Sequence, residues 1–165
     1  CLYQMFRNCT SLTTPDFSTW DTSTQTDARL TFFSCTNFNG NVSTWGVGSV
    51  TDMSSMFNNA SSFNQPLNSW NVSSVTLMDA MFKNCSNFNQ PLNNWDVSSV
   101  TVMGGSNPFY SGLFNSATSI DQDISSWNTG NVTNMTSMFY NAQSFDNEVS
   151  DVIINWNTNN VQYMT

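Results

Sequence analysis

Six tryptophans divide this chain into units of similar length. They are Trp20, Trp45, Trp70, Trp95, Trp127 and Trp156, and the first four are evenly spaced. A fixed period of about 25 residues is typical of a repeat protein, in which one supersecondary unit packs on copies of itself. The sequence therefore predicts a single solenoid domain over residues 1–165, with about six repeats centred on these tryptophans.

Other residue types recur in step with the tryptophans and predict the core. Residues 56–78 form a well-formed repeat, M-F-N-N-A-S-S-F-N-Q-P-L-N-S-W-N-V-S-S-V-T-L-M. All nine methionines fall at two positions of the repeat, which predicts that they face inward as adaptable core residues. One further position accepts only Cys or Ala, which indicates a need for small volume: Cys9, Cys35, Ala60, Cys85, Ala117 and Ala142.

The apolar spacing within a repeat predicts its local structure. Met53, Met56, Phe57 and Ala60 follow the i, i+3, i+4, i+7 template, which predicts a short helical turn over 51–59. Residues 67–75 are short and β-branched, so they predict one or two short strands. Asn-Gln-Pro at 64–66 and 89–91 is a turn signal. The predicted fold is a leucine-rich-repeat-like solenoid of short parallel β-strands and short helical turns.

Two insertions interrupt the period. Trp95 and Trp127 are more widely spaced than the first four tryptophans, and the extra residues lie around 104–110. Trp127 and Trp156 are also more widely spaced, with the extra residues around 148–152. Insertions in repeat proteins form loops on one face, often the binding face. Asn107, Phe109 and Tyr110 are therefore a candidate interaction loop; alternatively, the two aromatics fold back onto the neighbouring repeat.

Composition argues against nucleic-acid and membrane partners. The chain has 3 Lys and Arg against 11 Asp and Glu, with a formal net charge of -8. Nucleic acids and anionic membrane surfaces are bound mainly through basic side chains, so both are disfavoured. No apolar run approaches the roughly 18 residues of a transmembrane helix, so no membrane insertion is expected in this segment.

One stretch of the repeat carries a family resemblance. Residues 70–82 read W-N-V-S-S-V-T-L-M-D-A-M-F, and the pattern recurs along nearly the whole chain. It resembles the BspA-like surface-protein repeats, specifically the class of roughly 25-residue repeats of mycoplasma lipoproteins. The resemblance implies leucine-rich-repeat-like units in a secreted or cell-surface protein with an adhesive role, and it brings no catalytic residues. The first repeat departs from the pattern, with Gln25 in place of Val and Ala28 in place of Met.

The sequence offers little material for catalysis or metal binding. It has no His and no C-x-x-C motif, so a structural zinc site is not expected. The closest acidic cluster, Asp121 and Asp123, lacks the spacing of a calcium-binding loop. Without His, and with few basic residues, a general base and a charge stabiliser are both hard to assemble. We therefore predict no enzyme activity and no cofactor.

Two kinds of covalent modification are candidates. Cys9 and Cys35 fall on adjacent repeats, where stacked neighbours about 5 Å apart are within reach of a disulfide in an oxidising compartment. N-glycosylation motifs begin at seven asparagines, about the number that the composition gives by chance. They are Asn8, Asn41, Asn59, Asn71, Asn84, Asn131 and Asn134.

A threonine recurs beside the valine position of most repeats. The residues are Thr26, Thr51, Thr76, Thr101 and Thr133. A flat array of this kind is one way to bind ice. The alternative is that the threonines stack between neighbouring repeats and cap the following turn.

These observations favour a non-catalytic extracellular or cell-surface module with a structural or adhesive function. Its partner would be a protein or a glycan on a surface. Leu2 and Met164 both align with Met53, so the chain starts and stops at nearly the same point of the repeat. This indicates a piece of a longer array or, alternatively, a subunit that stacks head to tail on other copies of itself in a filament. A glycan- or ice-binding solenoid is the third hypothesis.

Overall fold

The fold is built from turns rather than from helices or strands. The computed structural model describes residues 1–105, 112–145 and 155–164, and within them it contains no helix and no extended strand. The prediction of a leucine-rich-repeat-like solenoid of short strands and helical turns is therefore wrong. Successive turn-rich repeats instead lie on one another in a repeat stack, joined by isolated parallel bridges: Asp27–Asp52, Asp52–Leu77, Leu77–Val102, Val102–Asn134 and Asn134–Tyr163.

The backbone hydrogen bonds explain why residues 51–59 do not form the predicted helical turn. Ser55 and Asn59 have φ angles of 57° and 63°, a left-handed conformation that a right-handed helix excludes. Met56 donates its N–H to Met53, three residues earlier, but every second N–H points along the stack to the next repeat. Those bonds run from Ser55 to Asp79, from Phe57 to Met81 and from Asn59 to Lys83, at 2.9, 3.0 and 2.8 Å.

Aromatic rings form the centre of the core. The Phe57 ring lies 5.5 Å from that of Phe32 and 5.8 Å from that of Phe82, and the three are nearly parallel. Within its own repeat, Phe57 also stacks on Phe63 at 4.0 Å. Because each of these rings is fully buried, each contributes about 2 kcal/mol of hydrophobic stabilisation. The stacked rings therefore hold successive repeats in register and exclude water from the core.

The methionines follow the predicted pattern only where another repeat covers them. Met5 and Met164 are 50% and 56% exposed, so the prediction that all nine face inward is wrong for these two. Both lie in the outermost described repeats, where no neighbour packs over them on one side. The buried methionines are Met53, Met56, Met78, Met81, Met103, Met135 and Met138.

The first insertion leaves the stack undisturbed. Trp95 and Trp127 are stacked at 6.3 Å with an interplanar angle of 4°, although the insertion lies between them in the chain. Gly104 and Gly112 flank the insertion, and both lie against the backbone of the next repeat. A Cβ atom on Gly112 would collide with the carbonyl of Ser137. At both positions the missing side chain thus allows the close approach to the next repeat.

Candidate functional site

An asparagine ladder holds one edge of the stack together. Asn64 Oδ1 accepts hydrogen bonds from the backbone N–H of Asn89 and from Nε2 of Gln90, both at 3.0 Å. Asn39 accepts the same pair of bonds from Asn64 and Gln65, also at 3.0 Å. The ladder continues at Asn89, which accepts from Asp121 and Gln122. The Asn-Gln pair of the repeat is therefore a joint between repeats, a role that its interpretation as a turn signal missed.

The ladder has no donor side chain at Gly40, and a cavity lies beside this break. Gly40 stands where the later repeats have Gln65, Gln90 and Gln122. A Cβ atom there would lie 2.7 Å from Phe38 Cε2 and 3.1 Å from Pro15 Cδ, so packing leaves little room for a side chain. Asn39 and Asn41, on either side of Gly40, line the edge groove, a cavity of about 310 Å³ whose other lining residues are Thr14, Pro15, Asp16, Phe17, Ser18, Thr44 and Gln65.

Polar groups with unused hydrogen-bonding capacity line the edge groove. Asp16 Oδ1 accepts the backbone N–H of Ser18 at 2.9 Å, and hydrogen bonds from Ser18 lower the pKa of Asp16. Asn41 Oδ1 accepts from Ser43 at 2.9 Å. The Nδ2 groups of Asn39 and Asn41 donate to no protein group in the described part of the chain. The groove thus presents a carboxylate and two amide donors to solvent.

A second cavity lies at the last described repeats. It has a volume of about 320 Å³ and is lined mainly by apolar side chains. It occupies the surface that the following repeat covers elsewhere in the stack, where Phe114 packs on Phe139 at 5.8 Å. The lining residues are Met135, Ser137, Met138, Phe139, Tyr140, Trp156 and Met164.

The four cysteines lie in two different environments. Cys1 and Cys9 are exposed, whereas Cys35 and Cys85 are buried. Cys35 donates to the carbonyl of Phe6 at 2.8 Å, and burial raises the pKa of its thiol to about 11. Burial also raises the pKa of the Cys85 thiol. The Cys9–Cys35 disulfide stays a prediction.

The candidate glycosylation sites differ in how accessible their amides are. Asn84 Nδ2 donates to Asn59 Oδ1 at 2.6 Å, and both side chains are partly buried. Asn134 is also partly buried. The exposed sites are Asn8, Asn41, Asn71 and Asn131. Glycosylation stays a prediction, and the candidate interaction loop of Asn107, Phe109 and Tyr110 lies outside the described residues.

The recurring threonines donate hydrogen bonds to the preceding repeat and form a continuous file along the stack. Thr76 Oγ1 donates to the carbonyl of Thr51 at 3.1 Å, and Thr101 Oγ1 donates to that of Thr76 at 3.2 Å. Thr133 continues the file to Thr101 at 3.1 Å. These hydroxyl protons are therefore directed at the neighbouring repeat rather than at solvent, as the stacking alternative expects.

Two further kinds of feature are missing from the described residues. They include no helix with the length and apolar character needed to cross a bilayer. Nor do residues 1–105, 112–145 and 155–164 contain a group of three or more His, Cys, Asp or Glu side chains placed to hold a metal ion.

Comparison with known proteins places the chain in a family. A family model with the description "Mycoplasma protein of unknown function, DUF285" matches residues 1–111 and 109–165. No curated protein and no solved structure matches the chain at a significant level. Because the two matches together extend from the first residue to the last, the chain belongs to this Mycoplasma family of unknown function.

Proposed function

We propose that this protein is a non-catalytic structural or adhesive module displayed at the cell surface or secreted, of the BspA-like type. The observation that carries the proposal is the use of its polar side chains. Asn64, Thr76 and their equivalents bond to neighbouring repeats, so they build the stack rather than a reaction centre. Membership of the Mycoplasma family supports the same role.

The exposed side chains of the stack suit binding to an extended protein or glycan surface. Four exposed carboxylates each accept the backbone N–H of the serine two residues later: Asp16, Asp21, Asp96 and Asp123. Hydrogen bonds from the side chain and then the backbone of that serine lower their pKa values. Such rigid, acidic turns suit recognition of a protein or glycan surface better than proton transfer, which needs a pKa near neutrality.

Two measurements test this proposal. Antibodies against the protein should label intact source cells, and brief protease treatment of those cells should remove the signal. Beads coated with the protein should bind cells or extracellular matrix more than beads coated with a heat-denatured sample. Labelling that appears only after permeabilisation, together with no bead binding, would refute the proposal.

A head-to-tail filament is a second candidate. The observation in its favour is that Trp95 and Trp127 stack across the insertion nearly as closely as Trp20 and Trp45 do without one, at 6.3 and 6.1 Å. Stacking of repeats thus does not depend on the length of the segment that connects them. In a filament, the last repeat of one chain would stack on the first repeat of another with no connecting segment at all. Electron microscopy of the purified protein tests this directly, and monodisperse single particles at all concentrations would exclude it.

A further inference from the structure

We propose that the edge groove is a binding site for a neutral sugar residue. The proposal rests on the surface-interaction role proposed above and deepens it by naming the class of ligand. Three features support it: the shape of the site, the free hydrogen-bonding groups, and the absence of basic side chains from the lining.

The first feature is the shape of the site. The side chains of Asp16, Asn41 and Thr44 are exposed at the mouth of the groove. Phe17, only 3% exposed, meets the ring of Trp20 edge to face at 4.7 Å and forms the floor. A cavity of about 310 Å³ lies at the small end of the range for ligand sites, and accommodates one or two sugar residues.

The second feature is the hydrogen-bonding chemistry. A sugar hydroxyl both donates and accepts, so a site for adjacent hydroxyls needs acceptors and donors close together. Asp16 supplies a carboxylate acceptor through Oδ2, since the N–H of Ser18 is bound to Oδ1. Asn39 and Asn41 supply amide donors, because their own oxygens are occupied by the backbone and by Gln65. This mixture matches a polyhydroxylated ligand better than an apolar one.

The third feature is charge. The lining contains one carboxylate and no Lys or Arg. Phosphates, sulfates and acidic sugars need a cationic partner to offset their desolvation, and Asp16 would repel them. Pro15 adds a small apolar surface on which the C–H face of a sugar ring can lie. The groove therefore selects a neutral sugar.

The chain contains matched controls for the residues of the groove. Asp123 stands at the same repeat position as Asp16, and its Oδ1 accepts the N–H of Ser125 at 2.9 Å, as Asp16 does with Ser18. Asn94 stands at the repeat position of Thr44, and both side chains are exposed. Each pair therefore allows the same change to be made inside and outside the groove.

The test is saturation-transfer NMR on the whole chain with methyl glycosides of glucose, mannose and galactose. N-acetylneuraminic acid serves as the acidic comparator. A single small ligand of this kind is expected to bind with a dissociation constant of about 1 mM or weaker. Asp16→Ala should weaken binding at least about tenfold, because it removes a charge-assisted hydrogen bond, whereas Asp123→Ala should leave it unchanged. Thr44→Trp should block the groove, and Asn94→Trp should not.

Glycan arrays of immobilised neutral oligosaccharides provide a second arm, which separates a free sugar from one carried on a larger molecule. Array binding that free methyl glycosides displace assigns the ligand to the end of a glycan chain. Signals with the glycosides alone assign it to a free sugar. The groove proposal fails if no neutral sugar gives a signal in either arm, or if Asp16→Ala and Asp123→Ala have equal effects. If the beads still adhere to cells in that case, the surface function stands without the groove.

Discussion

The asparagine ladder and the edge groove occupy the same edge of the stack but use their polar side chains differently. At Asn64 the amide oxygen accepts from both Asn89 and Gln90, so side chain and backbone are closed into one network. At the groove, Gly40 removes the side chain that Gln65 supplies one repeat later, and Asp16 and Asn41 face solvent. The comparison teaches that one repeat position can close a hydrogen-bond network in one place and leave polar groups open to solvent in another.

The difference has a local packing cause. Pro15 lies close enough to Gly40 that a Cβ atom there would approach Pro15 Cδ to 3.1 Å. Together with Phe38, Pro15 thus fills the space that a side chain at position 40 would need.

The largest expected effect separates a ladder asparagine from a groove asparagine. Asn64→Ala leaves the N–H of Asn89 and the amide of Gln90 without their acceptor, and should lower the free energy of unfolding by about 2–3 kcal/mol. Asn41→Ala removes only the bond from the N–H of Ser43, and should cost about 0.5–1 kcal/mol. Urea unfolding followed by tryptophan fluorescence measures both. Equal losses in the free energy of unfolding would show that the two asparagines contribute equally to stability, and would contradict the distinction between ladder and groove.

A smaller effect tests whether packing dictates the gap. Gly40→Ala places a methyl group 2.7 Å from Phe38 Cε2, and should destabilise the fold by about 1–2 kcal/mol through overpacking. Gly48→Ala is the control, since its nearest neighbour is the flexible amide of Asn71 at 3.3 Å, and its effect should stay within about 0.5 kcal/mol. Thermal unfolding of the two variants compares them. A Gly40→Ala variant as stable as the natural chain would mean that packing does not require glycine at this position.

The smallest expected effect is a difference in the pH dependence of stability between a buried carboxylate, Asp79, and an exposed one, Asp16. Burial raises the pKa of Asp79 despite the hydrogen bond from Ser54 at 2.8 Å, whereas hydrogen bonds lower that of Asp16. For Asp79, the raised pKa of the folded state gives stability that is present below the unfolded-state pKa of about 3.9. This stability is lost as pH rises through the folded-state pKa. For Asp16 the lowered pKa gives stability that is present above about 3.9 and is lost as pH falls.

The two Asp→Asn variants should therefore respond oppositely at neutral pH. Asp79→Asn should raise the melting temperature at pH 7, and this gain should shrink as pH falls towards 4. Asp16→Asn should lower the melting temperature slightly at pH 7. Melting curves between pH 3 and 7 check both signs; an Asp79→Asn variant that is less stable than the natural chain at pH 7 would contradict the assigned cause.

The sequence allowed the side-chain arrangement to be predicted better than the backbone. The spacing of Met53, Met56, Phe57 and Ala60 correctly places all four side chains in the core. The same spacing predicted a helical turn, and this failed because a turn with left-handed residues can present the same side chains to one side. Leu30 and Ala80 adopt φ angles of 57° and 53°, which neither residue type favours alone. Leu30 holds its conformation while it donates its N–H to the carbonyl of Ser54 in the next repeat at 3.2 Å, a contact that is not local.

The groove was missed for a related reason. The Asn-Gln pair was interpreted as a turn, although its recurrence from one repeat to the next was visible at Asn64-Gln65 and Asn89-Gln90. Asn39-Gly40 breaks that recurrence, and the break was the available signal. The cavity itself depends on how closely Pro15 approaches from the preceding repeat, which no pattern within one repeat reveals.

The central claim is that each repeat bonds to the next through alternate backbone N–H groups, with and without an insertion between them. Scalar couplings through hydrogen bonds, measured by NMR on isotope-labelled protein, test it most directly. The account predicts couplings from Phe57 N to the Met81 carbonyl carbon and, across the insertion, from Phe82 N to that of Leu113. Coupling of Phe57 N to the carbonyl carbon of Met53, the partner in a helix, would contradict it.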